Sequence, residues 1–482
     1  MACGPPSSGH PSARATTPPN LGGVTAAATR KFLIRTYGCQ MNEHDSERLA
    51  GLFAAEGMEP TDDLDQADVV LFNTCCIREN ADNRLYGNLG QLKRLKETRP
   101  AMQLVVAGCM AQKDRGLIQE RAPHVDVVLG THNTAHVADL LSRAASEGPQ
   151  LEILEESEAF PSALPARRNT PWSAWLTIQI GCDNTCAFCI VPAVRGAEIS
   201  RPFADIVAET ESLAANGAVE VTLLGQNVNS YGRDITRRRP LFADMLRAVG
   251  AVPGIRRVRY TSPHPKDLRP ETIASMAETE AVCEHLHLPL QSGSDRVLAS
   301  MHRGYTAQRY LDRLAGARAA VPDLAVTTDV IVGFPGETDD DFERTLEVVA
   351  EAAYDSAYTF VFSPRPGTEA AGFTDRFVDP AVVADRFERL TTTVERSAAR
   401  RHAARVGLVE EVLIEGPSKK DPAVLSGRTR QNKLVHLAGG PLAPGTFADV
   451  RITDAAAHYL RGELVTVTAR PRHKTRIPVA AV

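Results

Sequence analysis

Between residues 30 and 145, short apolar runs alternate with longer stretches in which apolar and polar positions mix at helical spacing. The runs are Lys31-Phe-Leu-Ile-Arg-Thr-Tyr37, Asp68-Val-Val-Leu-Phe-Asn73, Gln103-Leu-Val-Val-Ala107 and Val125-Asp-Val-Val-Leu129. Helical stretches near 42–56 and 79–97 follow the first two, and helix follows the others. This alternation predicts a parallel, doubly wound sheet. Residues 146–167 break the pattern with Gly148-Pro149, acidic positions from Glu152 to Glu158, and Pro161 and Pro165, and read as a linker. A second series fills 168–400, with strand candidates at 174–180, 220–224, 256–260, 285–290, 326–332 and 357–362. Helices are expected between them, near 203–215, 240–250, 267–279, 306–320 and 338–352. Six such units predict an open, partial version of the (β/α)₈ barrel, with chemistry at the C-terminal ends of its strands. A polar helix near 380–405 follows. From 401 to 475 short strands with Gly and Pro turns predict a small antiparallel β-barrel.

Composition narrows the class. The chain has 482 residues, 43% hydrophobic and 23% charged, which suits several packed domains. No apolar run approaches the ~20 residues that span a bilayer. Residues 1–29 are rich in Pro, Ser, Ala, Thr and Gly without a continuous apolar segment, so they read as a disordered tail and not a signal peptide. A cytoplasmic protein with reduced thiols is expected. The net charge of −5 excludes a generally basic nucleic-acid binder, yet residues 401–482 hold 13 Lys+Arg against 7 Asp+Glu. A basic C-terminal module on an acidic body points to a local polyanion contact.

Six of the nine cysteines form two trios. Cys182, Cys186 and Cys189 make a compact CxxxCxxC at the end of the first barrel strand. Cys39, Cys75 and Cys109 are dispersed, but each follows a predicted strand by one or two residues. In a parallel sheet all strand C-termini share one edge, so the three gather in one crevice. A 4Fe-4S cubane normally takes four thiolates; a trio leaves one iron free to bind something else. The rival metal is zinc, which takes four ligands and is commonly held by CxxC pairs. Here the spacing is three then two, with no fourth Cys or His nearby. Of the other cysteines, Cys3 lies in the tail and Cys283 precedes a barrel strand as a core residue. Cys76 adjoins Cys75 and is expected to point elsewhere. Phe188 is expected to pack over the compact trio.

The compact motif resembles that of the radical S-adenosylmethionine superfamily. The chain beyond the tail resembles one branch of it, the methylthiotransferases. The matches are Thr36-Tyr-Gly-Cys-Gln-Met-Asn42, Asn73-Thr-Cys75, Ile77-Arg-Glu79, Gly108-Cys-Met-Ala-Gln112, Leu224-Gly-Gln-Asn-Val-Asn-Ser-Tyr231, Leu288-Pro-Leu-Gln-Ser-Gly-Ser294, Met301-His-Arg-Gly-Tyr-Thr306, Asp329-Val-Ile-Val-Gly-Phe-Pro-Gly-Glu337 and Gly427-Arg-Thr-Arg-Gln-Asn-Lys433. Ala193 and Ala197 depart from the family, which commonly has an aromatic and a basic residue there.

The resemblance implies two 4Fe-4S clusters, on Cys182, Cys186 and Cys189 and on Cys39, Cys75 and Cys109, with S-adenosylmethionine at the open iron of the first. It implies that one S-adenosylmethionine methylates a sulfur held at the second cluster. Another supplies the 5′-deoxyadenosyl radical that activates carbon 2 of an isopentenylated adenine just 3′ of the anticodon in tRNA. Gly38-Cys-Gln-Met-Asn42 resembles the branch with that substrate. Branches acting on a ribosomal-protein aspartate or on threonylcarbamoyl-adenosine typically show Gly-Cys-Pro-Lys-Asn and Gly-Cys-Lys-Val-Asn there. A non-catalytic, metal-stabilised RNA-binding protein is the alternative of another class. Cofactor contacts are expected from Gly225, Gln226, Asn227 and Gly333, although glycines there also suit tight turns. Phosphate contacts are expected from Arg428, Arg430 and Lys433; neutralising about three phosphates gives a log–log salt slope of roughly −2 to −3. The further partners expected are tRNA, a reductant such as flavodoxin or ferredoxin, and a sulfur donor, with the chain a monomer.

Overall fold

The computed structural model describes residues 29–76, 79–155, 160 and 164–471. The expectations for residues 1–28 with Cys3, for Ile77-Arg78 and for 472–475 lie outside the described residues. The first domain is a parallel sheet of β1 (Lys31–Tyr37), β2 (Glu59–Pro60), β3 (Val69–Thr74), β4 (Gln103–Ala107), β5 (Val127–Leu129) and β6 (Gln150–Glu152) in the order β2-β1-β3-β4-β5-β6. Strands β3 and β4 are buried throughout, because helices cover both faces. Helices α1 (Gln40–Ala55) and α5 (Val137–Glu147) pack Leu49, Phe53, Leu140 and Leu141 on one face. Helices α2 (Glu79–Thr98), α3 (Cys109–Asp114) and α4 (Leu117–Arg121) pack Leu89, Leu92, Met110 and Ile118 on the other. Strand β6 falls inside the stretch that reads as linker. It is three residues long and its pattern is masked by the acidic, proline-rich surroundings. Two-residue β2 left no sequence signal at all. With β2 beyond β1, the winding reverses between β1 and β3, and a crevice opens there at the strand C-termini.

The central domain has β7 (Ser173–Thr177), then a short antiparallel pair of β8 (Gln179–Ile180) and β9 (Ile199–Ser200), then β10 (Glu220–Leu224), β11 (Arg257–Tyr260), β12 (His285–His287), β13 (Ala325–Val332) and β14 (Ser356–Val361). Strands β7, β10 and β11 form one parallel half, and β12, β13 and β14 the other. A single bridge, Val258 to Val282, joins the halves. Helix α6 (Val191–Arg195) follows the cysteine loop. Then come α7 (Phe203–Ala215), α8 (Arg233–Thr236), α9 (Phe242–Gly250), α10 (Pro270–Glu278), α11 (Asp295–Ser300), α12 (Ala307–Ala320), α13 (Asp339–Ala352) and α14 (Pro380–Ala403). Val221, Leu223, Val258, Val326 and Val330 face these helices in one large core. By the period of two along a strand, Trp175, Arg257, Arg259, Thr327, Asp329, Tyr358 and Phe360 face the lumen.

The third domain is a closed barrel of β15 (Val409–Pro417), β16 (Val424–Thr429), β17 (Leu434–Ala438), β18 (Phe447–Ala455) and β19 (Leu460–Ala469), in the order β15-β16-β17-β19-β18. It departs from the expected all-antiparallel form in one place. Closure pairs β17 with β19 in parallel, since the chain leaves β17 and passes through β18 before returning. No helix among the described residues is long and apolar enough to cross a membrane.

Candidate active site

The dispersed trio is built by strand ends and by glycines that let them approach. A Cβ on Gly38 would lie 2.6 Å from the Cβ of Cys75. Gly108 has φ +90°, and a Cβ there would collide with Asn73 Oδ1. Buried amides then lock the crevice. Asn42 Nδ2 donates to Asn73 Oδ1 (3.1 Å), and Asn73 Nδ2 donates to the Asn42 carbonyl (2.8 Å) and to Ser46 Oγ (3.0 Å). Cys39 caps α1 and Cys109 opens α3, so both thiols sit at helix N-termini. A hydrogen bond from Cys75 brings Cys39 down to about 6, helped by the Asn42 and Met41 amides and the Arg195 charge against the cost of burial. A hydrogen bond from Cys76 brings Cys109 down to about 7, again against burial and with help from Arg195. Cys76 therefore does not point away, as its neighbour's orientation suggests. The chain bends at Cys76, just past the end of β3, and strict strand alternation no longer applies. Four thiols share this crevice.

The compact trio lies in the loop between β8 and β9. Gly181 (φ +75°) presses against the Ala197 carbonyl so closely that no side chain fits. The Cys182 amide donates to the Gly196 carbonyl (3.1 Å), the Cys189 amide to the Cys186 carbonyl (3.0 Å), and the Glu198 amide to Asp183 Oδ1 (2.9 Å). The three cysteines line a cleft of about 590 Å³ with Asn184, Ala193 and Ala197 on its wall. The two alanines that depart from the family pattern thus face the cleft. Phe188 packs with Val297, Met301 and Phe334. Burial pushes Cys182 up to about 11 and Cys189 up to about 12, so these thiols give up protons only to a metal. Arg303 Nη1 donates to Cys186 Sγ (3.2 Å).

Helix α1 seats the first domain on the barrel's C-terminal rim. His44 Nδ1 pairs with Thr177 Oγ1 (2.6 Å), Glu47 Oε1 accepts from the Asn169 amide (3.1 Å), and Met41 packs on Ile180 and Leu224. Thr131 Oγ1 donates to the Val194 carbonyl (2.7 Å). Arg195 crosses the same seam, with Nε to Cys109 Sγ (3.3 Å) and Nη2 to Asp45 Oδ2 (2.7 Å). The two trios therefore belong to segments that meet at one seam, with Arg195 as the side chain that crosses it. No group of three His, Cys, Asp or Glu among the described residues converges as a site for one metal ion. A cubane places each thiolate on a different iron, so this donor chemistry fits a cluster better than a single zinc.

The expected cofactor loops divide. Gln226 Oε1 and Asn227 Oδ1 are buried acceptors without a hydrogen-bond partner among the described residues. Such orphans fit a ligand that brings N–H groups. Asn227 Nδ2 is held by Asp267 Oδ2 (3.0 Å) and Glu198 Oε1 (3.4 Å). Gly225 lets the turn close, with Val228 Cα 3.2 Å from where a Cβ would stand. Gly333 has a packing reason instead: at φ +72° a Cβ would sit 2.6 Å from Val383 of α14. Glu198, Asp267 and Arg195 escaped the sequence reading, because a lone charge carries no spacing signal; Arg303 lay within the Met301–Thr306 run with no role assigned to it.

Three family models match the chain: Uncharacterized protein family UPF0004 at residues 31–130, Radical SAM superfamily at 176–349, and TRAM domain at 403–465. The tRNA-2-methylthio-N(6)-dimethylallyladenosine synthase of Acidothermus cellulolyticus is 53% identical over 92% of this chain and 90% of its own length. The protein of the same name from Thermobifida fusca is 52% identical over 90% of this chain and 88% of its own. The chain belongs to the tRNA-2-methylthio-N(6)-dimethylallyladenosine synthase family. Among solved structures, a radical S-adenosylmethionine methyltransferase, TsrM, from Kitasatospora setae aligns with a TM-score of 0.53 and 15% identity, covering 71% of this chain and 75% of that one, a likeness of fold.

In this synthase-family chain the basic turn of the C-terminal barrel is not a free cationic surface. Arg430 chelates Glu284 (Nε to Oε2, 2.7 Å) and donates to the carbonyls of Glu280 (2.8 Å) and Val282 (2.9 Å). Lys433 is buried and pairs with Asp355 (2.6 Å). Arg428 pairs with Glu415 (3.0 Å). In return, Arg257 donates to the Arg428 carbonyl (2.8 Å), and Arg259 to the carbonyls of Thr429 (2.8 Å) and Arg430 (2.9 Å). Arg430 and Lys433, expected to contact phosphate, are thus engaged by carboxylates of the central domain. A half-buried cation needs a partner, and the acidic N-terminal ends of β12 and β14 supply it. Exposed cations of this domain include Lys419 and Lys420, in the turn between β15 and β16, and Arg451, Arg461 and Arg470. Burial and the nearby Cys39 raise the pKa of Glu43, and Lys419 is close enough to offset part of that rise.

Proposed function

We propose that this chain is an enzyme that inserts a methylthio group at carbon 2 of N(6)-isopentenyladenosine, immediately 3′ of the anticodon of tRNA. The observation that carries the reading is a thiol trio on each side of the seam between sheet and barrel, linked by the Arg195 contact to Cys109. Cys182, Cys186 and Cys189 would hold one 4Fe-4S cluster, and Cys39, Cys75 and Cys109 the other. The first cluster, when bound, supplies the electron that splits S-adenosylmethionine into methionine and a radical. Gln226 and Asn227 orient the cofactor through their unpaired acceptors. Tyr358, 60% exposed, and Phe360, 37% exposed, offer apolar faces within the lumen for the base and its isopentenyl group. Lys419 and Lys420 hold the RNA backbone beside the seam. A reductant protein of the flavodoxin or ferredoxin kind and a sulfur donor complete the system, and the chain acts as a monomer.

The test is anaerobic loading with iron and sulfide, then incubation with S-adenosylmethionine and isopentenylated tRNA. The expected result is about four irons and four sulfides per cluster, two clusters per chain, and a methylthiolated nucleoside by mass spectrometry. Deoxyadenosine release without a thiomethylated nucleoside would remove the substrate assignment; a methylthiolated ribosomal protein would move it to a sister branch.

A further inference from the structure

One side chain joins the two halves of the site. Arg195 ends α6, the helix that begins two residues after Cys189, and so belongs to the same segment as the compact trio. Its guanidinium nevertheless contacts the other domain, with Nε 3.3 Å from Cys109 Sγ and Nη2 2.7 Å from Asp45 Oδ2. The Arg195 and Asp45 side chains are 6% and 17% exposed. A guanidinium so deeply placed is costly unless its charge is matched. Asp45 matches it on one side, and a thiolate at Cys109 would match it on the other. Arg303 makes the parallel contact to Cys186 Sγ (3.2 Å), but from within its own domain.

We propose that Arg195 is a positioning residue that sets the reduction potential of the cluster on the dispersed trio and fixes that cluster against the compact one. Resting on the two-cluster reading above, the argument is electrostatic. Reduction adds negative charge to a cluster, and a hydrogen bond from a cation to a ligand sulfur stabilises that charge in a medium of low dielectric. The planar fork serves Cys109 and Asp45 together, which a single ammonium does not.

The experiment is an anaerobic redox titration of the fully loaded, full-length chain, followed by electron paramagnetic resonance with the two cluster signals resolved. Arg195→Met should shift the reduction equilibrium of the dispersed-trio cluster ~10-fold toward the oxidised form, about 59 mV for one electron. The compact-trio cluster should stay in place. Arg303→Met should do the reverse. If Arg195→Met does not fold, Arg195→Lys decides the matter; it keeps the charge and should shift the same cluster by about threefold. Two clusters with an unmoved dispersed-trio potential would overturn the proposal, and so would an equal shift of both clusters, which marks general loosening. A wild-type chain carrying one cluster would instead sink the reading on which the proposal rests.

Discussion

The two cysteine trios are made in opposite ways. One lies in a single loop, where Gly181 and backbone hydrogen bonds fold eight residues around a cleft. The other takes one thiol from each of three strand ends and exists only once the sheet has formed. Their acidities differ accordingly. In the loop trio, burial outweighs the Asn184 and Val191 hydrogen bonds and holds Cys182 and Cys189 above the usual thiol range. In the strand-end trio, hydrogen bonds from the neighbouring Cys75 and Cys76, with the Arg195 charge, bring Cys39 and Cys109 below it, and both of these thiols sit at helix N-termini. A local motif can hold a metal by covalent contact alone, whereas a site assembled from topology also inherits the dipoles and charges of the elements that build it.

The largest effect should come from breaking each trio separately. Cys186→Ala should abolish both deoxyadenosine and methylthio product, at least ~10³-fold. Cys39→Ala should abolish the product to the same extent while deoxyadenosine still forms. Chromatography of the two products checks this, and equal loss of deoxyadenosine in both variants would mean that the trios do not have separate roles. Next, Gly181→Val should destabilise the loop trio by about 3 kcal/mol, since it forces a left-handed branched residue into a carbonyl. Denaturant melts should show this, with the absorbance of the dispersed-trio cluster retained.

The C-terminal barrel offers a smaller contrast. Lys433→Ala leaves Asp355 buried and unpaired and should cost about 3 kcal/mol in domain docking, with no change in the salt slope of RNA binding. Lys419→Ala and Lys420→Ala should each reduce the magnitude of that slope by about 1 and leave stability alone. Filter binding across a salt series separates the two classes. The smallest effect concerns the seam. Burial holds His44 well below the ordinary imidazole range. A neutral histidine in the fold that would protonate when unfolded stabilises fully above about pH 6.5, and that share is lost as pH falls, by up to ~1.4 kcal/mol per unit. His44→Asn should flatten the stability profile between pH 6.5 and 5.

Most of the architecture was legible, because long apolar runs and helical spacing are strong signals. Helices α7, α12 and α13 lie within a residue of where the pattern places them. Placing Cys39, Cys75 and Cys109 needed only the rule that parallel strands end on one edge. What stayed hidden depends on contacts rather than pattern. Strands β2 and β6 are too short to show a period. Cys76 turns inward at a bend that no propensity marks. Arg430 and Lys433 look like any basic turn until Glu284 and Asp355, far away in sequence, are brought beneath them.

Among the described residues the barrel has six parallel strands, and β7 and β14 do not pair. With the sheet domain seated over one end of the lumen and the Arg428–Lys433 turn set like a stopper against the other, the gap along the side becomes a doorway. An anticodon loop has no free end to thread. A side door lets one nucleotide lean in while the rest of the folded RNA stays outside.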